Sequence, residues 1–427
     1  MGLKVAVVGG GSTYTPELVE GFSGRRERLP IEQLVLYDID PERLEVVGGV
    51  ARRMLARSDF RGTLDCTSDR DRALEGADFV VVQLRVGGQA ARLSDETLPL
   101  EFGCIGQETT GAGGFAKALR TVPVVLELAE EMERRSNRGA WMVDFTNPVG
   151  IVTQALLDAG HRAIGLCNVA IGLQRRIAGY LELEPERVQL DHVGLNHLSW
   201  ERGVRVDGVD RLPELIERFG ERLAEEIEIP LDLIQLLRAI PSYYLRYYYL
   251  ADRVLADQLS GRRRARAEEV MEIERTLLEL YRDPGTDRKP DLLEKRGGAY
   301  YSEAAAQLIA SLHAGSGDVQ VVDIRNDGTI AGLPDDAVVE VPAVIDRDGA
   351  HPLPMGPLPP EMLGLVQQVK AYERLAVEAA RSGSREAALK SLLANPLVGR
   401  YGVALRLLDA LLEANRAHLP RFQVGRR

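Results

Sequence analysis

Three cysteines, Cys66, Cys104 and Cys167, are all that the 427 residues contain, an odd number placed far apart. That does not suggest a disulfide framework and favours a ligand or a nucleophile as the role of any cysteine of special use. No run of eighteen uninterrupted apolar residues occurs, so no membrane-spanning helix is expected, yet 45% of the residues are apolar, enough for a large core shared by two intimate domains. The N-terminus passes from Met1-Gly2-Leu3-Lys4 straight into an apolar strand, without the long apolar segment of a secretory signal, and a cytoplasmic location is the expectation. Positive charge is in short supply: 53 Lys and Arg against 64 Asp and Glu leave −11. That balance argues against nucleic acid or an anionic membrane as partner, while local arginines can still build a site for a small anion. Internal repeats and low-complexity segments are absent as well.

The first half alternates short apolar runs, Lys4 to Val8, Leu34 to Tyr37, Phe79 to Leu84, Trp141 to Phe145 and Ala163 to Leu166, with amphipathic stretches. That rhythm predicts an α/β fold with a parallel sheet covered by helices on both faces. Beyond about Gln189 a strand-like Arg202 to Val206 gives way to long helical stretches at Pro213 to Ile227, Arg264 to Tyr281 and Pro360 to Ser382. Val319 to Ile324 and Ala337 to Val344 read as strands, with Asn326-Asp327-Gly328 as a turn between them. His351 to Pro360 reads as a surface connection. We expect a first domain over 1–190 and a second, mixed α+β domain over 191–427.

Val5-Ala-Val-Val-Gly-Gly-Gly-Ser-Thr-Tyr-Thr-Pro-Glu17 is a strand, a glycine turn and a helix start, with Thr15 placed to cap and Pro16 at the first helical position. Free backbone N–H groups and the helix dipole at such a turn favour a pyrophosphate, which makes Gly9, Gly11, Ser12 and Thr13 candidates for dinucleotide binding. Tyr14 stands where a third fingerprint glycine is usual, so the helix is expected to lie further from the strand. Asp38 ends the second strand, where a carboxylate accepts from ribose hydroxyls and selects NAD over NADP; Arg43 follows on the next helix. The plainer alternative is a tight turn with Asp38 capping that helix.

Further motifs are Gln83-Leu-Arg-Val-Gly-Gly88, Ile105-Gly-Gln-Glu-Thr-Thr-Gly111, Phe145-Thr-Asn-Pro148, Gly165-Leu-Cys-Asn168, Gly194-Leu-Asn-His197 and Lys295-Arg-Gly-Gly298. In their order and with the glycine turn, they make the chain resemble glycoside hydrolase family 4 over essentially its whole length. The resemblance implies a Rossmann-type domain, bound NAD and a divalent metal, usually manganese, held by Cys167 and His197. Asn168 after the cysteine is similar to the 6-phospho-β-glucosidase branch, whose reaction oxidises C3 of the sugar transiently with NAD, removes the C2 proton and eliminates the aglycone. Ala170 departs from a proline common in the family, which touches the start of the helix more than the ligands. The tyrosine-rich Pro241 to Tyr249 corresponds to the segment of the catalytic base; Tyr244 is favoured, with Tyr243, Tyr247 and Tyr248 as alternatives.

On residue type alone a solitary cysteine is more often a small buried hydrophobe, and a solitary histidine a satisfied core residue. Cys167 gains weight from its place at the end of a predicted strand, where open α/β sheets bind ligands. Arg92 and Arg296 are the phosphate candidates because guanidinium binds phosphate bidentately, and Asn147 and Asn168 are candidates to orient substrate hydroxyls. Glu108 and Asp95 sit in the motif loops. The implied partner is a 6-phosphorylated β-glucoside, and a homo-oligomer, dimer or tetramer, is expected. A lactate- or malate-type dehydrogenase of 2-hydroxy acids shares fold and cofactor but has no use for Cys167 and releases NADH stoichiometrically. An NAD-responsive binding protein would leave the Cys, Asn, His and Tyr set without a task.

Overall fold

The computed structural model describes residues 2–423 apart from Arg26, Asp59 and Ala299. Its strands are β1 (Leu3–Val8), β2 (Ile31–Tyr37), β3 (Thr63–Thr67), β4 (Phe79–Val82), β5 (Trp141–Asp144), β6 (Ala163–Gly165), β7 (Val188–Leu195), β8 (Leu198–Val206), β9 (Val209–Asp210), β10 (Ile240–Pro241), β11 (Asp318–Arg325), β12 (Val338–Asp346) and β13 (Gly349–Pro352). All the predicted strands form, within a few residues of their expected ends. β1, β4 and β5 are apolar almost throughout because helices cover both faces of a parallel sheet.

The order β3-β2-β1-β4-β5-β6 is that of a doubly wound nucleotide-binding sheet, and all its pairings are parallel. The sheet does not stop there. Asp323 on β11 pairs antiparallel with Gly165 on β6, and β11, β12, β7, β8 and β10 extend the same sheet with antiparallel neighbours. One face of that extension carries a buried row of ionisable side chains from adjacent strands: Glu201, His192, Glu340 and Asp323. His192 bridges Glu201 at 2.6 Å and Glu340 at 2.9 Å. Burial acts against its proton, but the two carboxylates raise its pKa to about 10. Glu340 also accepts from Asn196 Nδ2 at 3.2 Å, which ties the row to the β7–β8 turn that carries His197.

Two strands lack a simple sequence signature. β3 is a polar edge strand, and β7 places His192 on its inward face, where an apolar residue would ordinarily mark a strand. Two local expectations need correction. Thr15 is the first residue of its helix rather than its cap, and its hydroxyl donates to Gly10 O at 2.9 Å. His351 and Pro352 belong to β13, so the connection to the helix Pro360–Ser382 starts only after them.

Candidate active site

The C-terminal ends of the parallel strands open into a cavity of about 2550 Å³. Gly9, Gly11 and Ser12 line it after β1, Asp38 after β2, Gln83, Arg85 and Arg92 after β4, and Asn147 and Asn168 after β5 and β6. The glycines are there for space as well as conformation. Gly9 has φ +88°, and a Cβ on Gly11 would stand 2.9 Å from the Asp38 carboxylate.

Most of the turn's N–H groups prove to be used internally, contrary to the open cradle expected. Gly9 and Gly10 donate to Tyr37 O, Gly11 to Asp38 Oδ2 at 2.8 Å, and Ser12 to Gly9 O. Within the turn, Thr13 N–H alone has no acceptor among the described residues, because the turn is stitched to the end of β2. Asp38 also accepts from Asp40 N at 3.0 Å, whereas Asp40, not Asp38, caps the following helix. Arg43 Nε donates to Gly11 O at 3.3 Å and borders the cavity. Tyr14, in place of a glycine, turns its ring away to give its hydroxyl to Gly298 O at 2.6 Å, linking the turn to the Lys295 to Gly298 motif.

A second part of the wall is strongly basic. Arg85, Arg92 and Lys117 all meet one carboxylate, Glu108, and Arg92 also holds Glu96 at 2.7 Å. Burial works to raise Glu108, but the three cations hold it well below the usual carboxylate range. Burial and the Arg85 charge bring Lys117 down to about 7. Arg296 reaches Thr13 Oγ1 at 2.8 Å and Glu274 at 3.1 Å, so the Thr13 side chain faces this ion pair and not the cavity. Cations outnumber carboxylates here, the arrangement a phosphate dianion requires. Asp95 is withdrawn from the chemistry: it pairs with fully buried Arg120.

The third part is Tyr244, which lines the cavity, together with the buried Cys167 and His197 outside the lining. Cys167 is buried, with the Tyr301 hydroxyl 3.9 Å from its sulfur. The His197 and Tyr244 rings stack at 3.6 Å, tilted by only 11°. Burial lowers His197 to about 4, so its ring is neutral and able to ligate. Burial first, then the negative charge that Cys167 would carry, pushes the Tyr244 phenol well above its ordinary range. Burial pushes the Cys167 thiol up in the same way, with Glu340 adding to it. A soft sulfur, a neutral imidazole and a phenol whose ionisations oppose one another form a donor set that a divalent cation would relieve. Asn147 Oδ1 is a buried acceptor without a partner among the described residues, which suits a substrate hydroxyl. Among the described residues no three His, Cys, Asp or Glu converge as a metal cage.

Of the other tyrosines, Tyr243 and Tyr247 flank the Arg246 guanidinium at 4.0 and 4.9 Å. Arg85, Lys117, Glu274 and Tyr301 were not singled out by the sequence. Arg85 lies inside a quoted motif and could have been found there; nothing marks Tyr301, which arrives from a distant helix.

A model of the family 4 glycosyl hydrolases matches residues 4–183, and one of the family 4 glycosyl hydrolase C-terminal domain matches residues 192–398. The chain belongs to glycoside hydrolase family 4. This family 4 chain is similar to the "Probable 6-phospho-beta-glucosidase" of Bacillus subtilis strain 168, with 44% identity over 99% of the chain and 98% of the relative. A solved structure of the 6-phospho-beta glucosidase from Thermotoga maritima with NAD and glucose-6-phosphate superposes with TM-score 0.91 at 38% identity, covering 97% of this chain and 99% of that one. Another structure of that enzyme, with manganese, NAD+ and glucose-6-phosphate, gives TM-score 0.90 at 37% identity over the same shares. Likeness to a lactate dehydrogenase from a deep-sea metagenome, 16% identical with TM-score 0.56 over 88% of this chain and 99% of that one, concerns the fold alone. No helix among the described residues is long and apolar enough to cross a membrane.

Proposed function

We propose that this chain hydrolyses 6-phospho-β-glucosides using NAD and a divalent cation, manganese by preference, in the cytoplasm and as a homo-oligomer. The observation that carries this reading is the single cavity lined by a Rossmann-type glycine turn, a basic wall and Tyr244, with the His197 ring stacked on Tyr244 and Cys167 buried next to the cavity-lining Asn168. A dehydrogenase of 2-hydroxy acids leaves the last of these without a task. We place the boundary between a nucleotide-binding and a substrate domain near residue 190, supported by family models that end at 183 and begin at 192.

Gly9, Gly11, Ser12, Thr13, Asp38 and Arg43 hold the dinucleotide, with Thr13 contributing its backbone N–H. Cys167 and His197 hold the metal. When bound, NAD supplies a reversible hydride acceptor and the cation a Lewis acid, which together acidify hydrogen at C2 of the sugar. Arg92 and Arg296 grip the C6 phosphate, Asn147 and Asn168 orient the ring hydroxyls, and Tyr244 takes the C2 proton. Burial of the donor set excludes bulk water from the proton's path.

The test is a panel of nitrophenyl glucosides, β or α and with or without the 6-phosphate, each assayed with NAD and manganese present or withheld. Turnover should be confined to the phosphorylated β compound, require both additions and leave no net NADH. Full activity after exhaustive removal of both would overturn the proposal.

The arginines give a separable prediction. Arg92→Ala or Arg296→Ala should raise KM for the phosphorylated glucoside about 10-fold or more, since a charge-assisted pair is worth roughly 1.5 to 3 kcal/mol. KM for the unphosphorylated sugar should change little. Each change also removes one partner from a buried carboxylate, Glu96 and Glu108 in the first case and Glu274 in the second, so the melting temperature is followed alongside. Equal effects on both substrates would show that neither arginine reads phosphate.

A further inference from the structure

Gln107, Thr109 and Thr110 lead into the helix Gly111–Arg135, and one amide oxygen organises them. Gln107 Oε1 accepts from the backbone N–H groups of Thr109 at 2.5 Å and Thr110 at 2.7 Å. It also accepts from the Thr109 hydroxyl at 2.9 Å and the Thr110 hydroxyl at 3.2 Å. Backbone N–H groups only donate, so the atom on which they converge is the carbonyl oxygen of the amide and not its nitrogen. That oxygen has no hydrogen to give, and the Thr109 hydroxyl therefore commits its single hydrogen to it.

What remains on the hydroxyl is a lone pair, and His197 Nδ1 lies 2.9 Å away. To make that bond Nδ1 must carry the ring hydrogen, which leaves the lone pair on Nε2. Nε2 makes no hydrogen bond among the described residues. The ring is held in two further ways. Tyr244 stacks on its face, and the His197 backbone has φ +62° in the tight β7–β8 turn. The imidazole is thus presented in one plane and one tautomer before any ligand arrives, although Thr109 lies 88 residues earlier in the chain.

We propose that Thr109, itself held by Gln107, is the positioning residue that sets the tautomer and orientation in which His197 ligates a divalent cation through Nε2. The inference rests on reading His197 as a metal ligand. A ligating imidazole is a better donor when its other nitrogen gives its hydrogen to a fixed acceptor, and loss of such a partner typically costs 10- to 100-fold in metal affinity. Thr109 is buried and does not border the cavity, so its hydroxyl has no direct route to the sugar.

The experiment is a calorimetric titration of the purified full-length chain with manganese alone, without substrate. Thr109→Val replaces the hydroxyl by a methyl of similar size, Thr109→Ala removes it without adding a contact, and Thr109→Ser restores it. We expect roughly 10- to 100-fold weaker manganese binding in the Val and Ala variants, and near wild-type binding in the Ser variant. NAD affinity should be unchanged in all three. Manganese binding as in wild type by Thr109→Val or Thr109→Ala overturns the proposal, and loss of NAD binding together with manganese binding in both would show a structural role and overturn it too. His197→Ala separates the two levels of the argument. If it binds manganese as wild type does, the ligand reading falls and this inference with it; if it loses manganese while the Thr109 variants keep it, only this inference falls.

Discussion

Tyr244→Phe should lower turnover of the phosphorylated glucoside by about 10² to 10⁴, the usual worth of a positioned general base. That corresponds to roughly 3 to 5 kcal/mol of transition-state stabilisation. The reason is geometric first: among the tyrosines of this segment, Tyr244 is the one that stacks on the His197 ring. Without a cation its proton is held tightly, since burial and the neighbouring Cys167 and Glu108 oppose a phenolate. Its reactivity must therefore depend on positive charge placed beside it, and the phenylalanine variant should fail even with NAD and manganese saturating. Heavy water provides the sharper readout. The carboxylate pair of an ordinary glycosidase leaves the C2 hydrogen untouched, and NAD-dependent glycosidases depart from that scheme. NMR of early glucose 6-phosphate product should show deuterium at C2. Protium retained there would end the proton-abstraction route, and an active Tyr244→Phe would move the base to Tyr243, Tyr247 or Tyr248.

A comparable loss is expected for Cys167→Ser and His197→Ala, in the form of abolished metal-supported turnover with nucleotide binding kept. Both side chains are more than nine-tenths buried, yet neither belongs to the glycine turn. Calorimetry with NAD should give affinity close to wild type, while manganese binding disappears from the measurable range. If both variants unfold instead, the two residues are core packing and the metal centre lies elsewhere.

Much of the fold was legible because its signals are local. The apolar runs that became β1, β4, β5 and β6 mark a parallel sheet by composition alone, and the glycine turn announces a nucleotide site by position. β7 was missed because its inward face carries His192, whose partners Glu201 and Glu340 sit on other strands. A histidine there reads as polar until a neighbouring strand neutralises it. The turn's N–H groups were expected free for the same reason: Tyr37 O and Asp38, 27 residues and more away, take most of them.

By itself the sequence determined the family, the parallel sheet and the identity of Cys167, Asn168, His197 and Tyr244 as the residues worth watching, because ordered motifs and local periodicity need no knowledge of contacts. Only the tertiary structure decided which arginines surround Glu108, that Tyr244 rather than its neighbours lies on the imidazole, and which His197 nitrogen is free. Each of those depends on distance and hydrogen-bond direction between groups on different elements, which no local pattern records, and the sheet that joins β6 to β11 continues from the domain of Thr109 to that of His197.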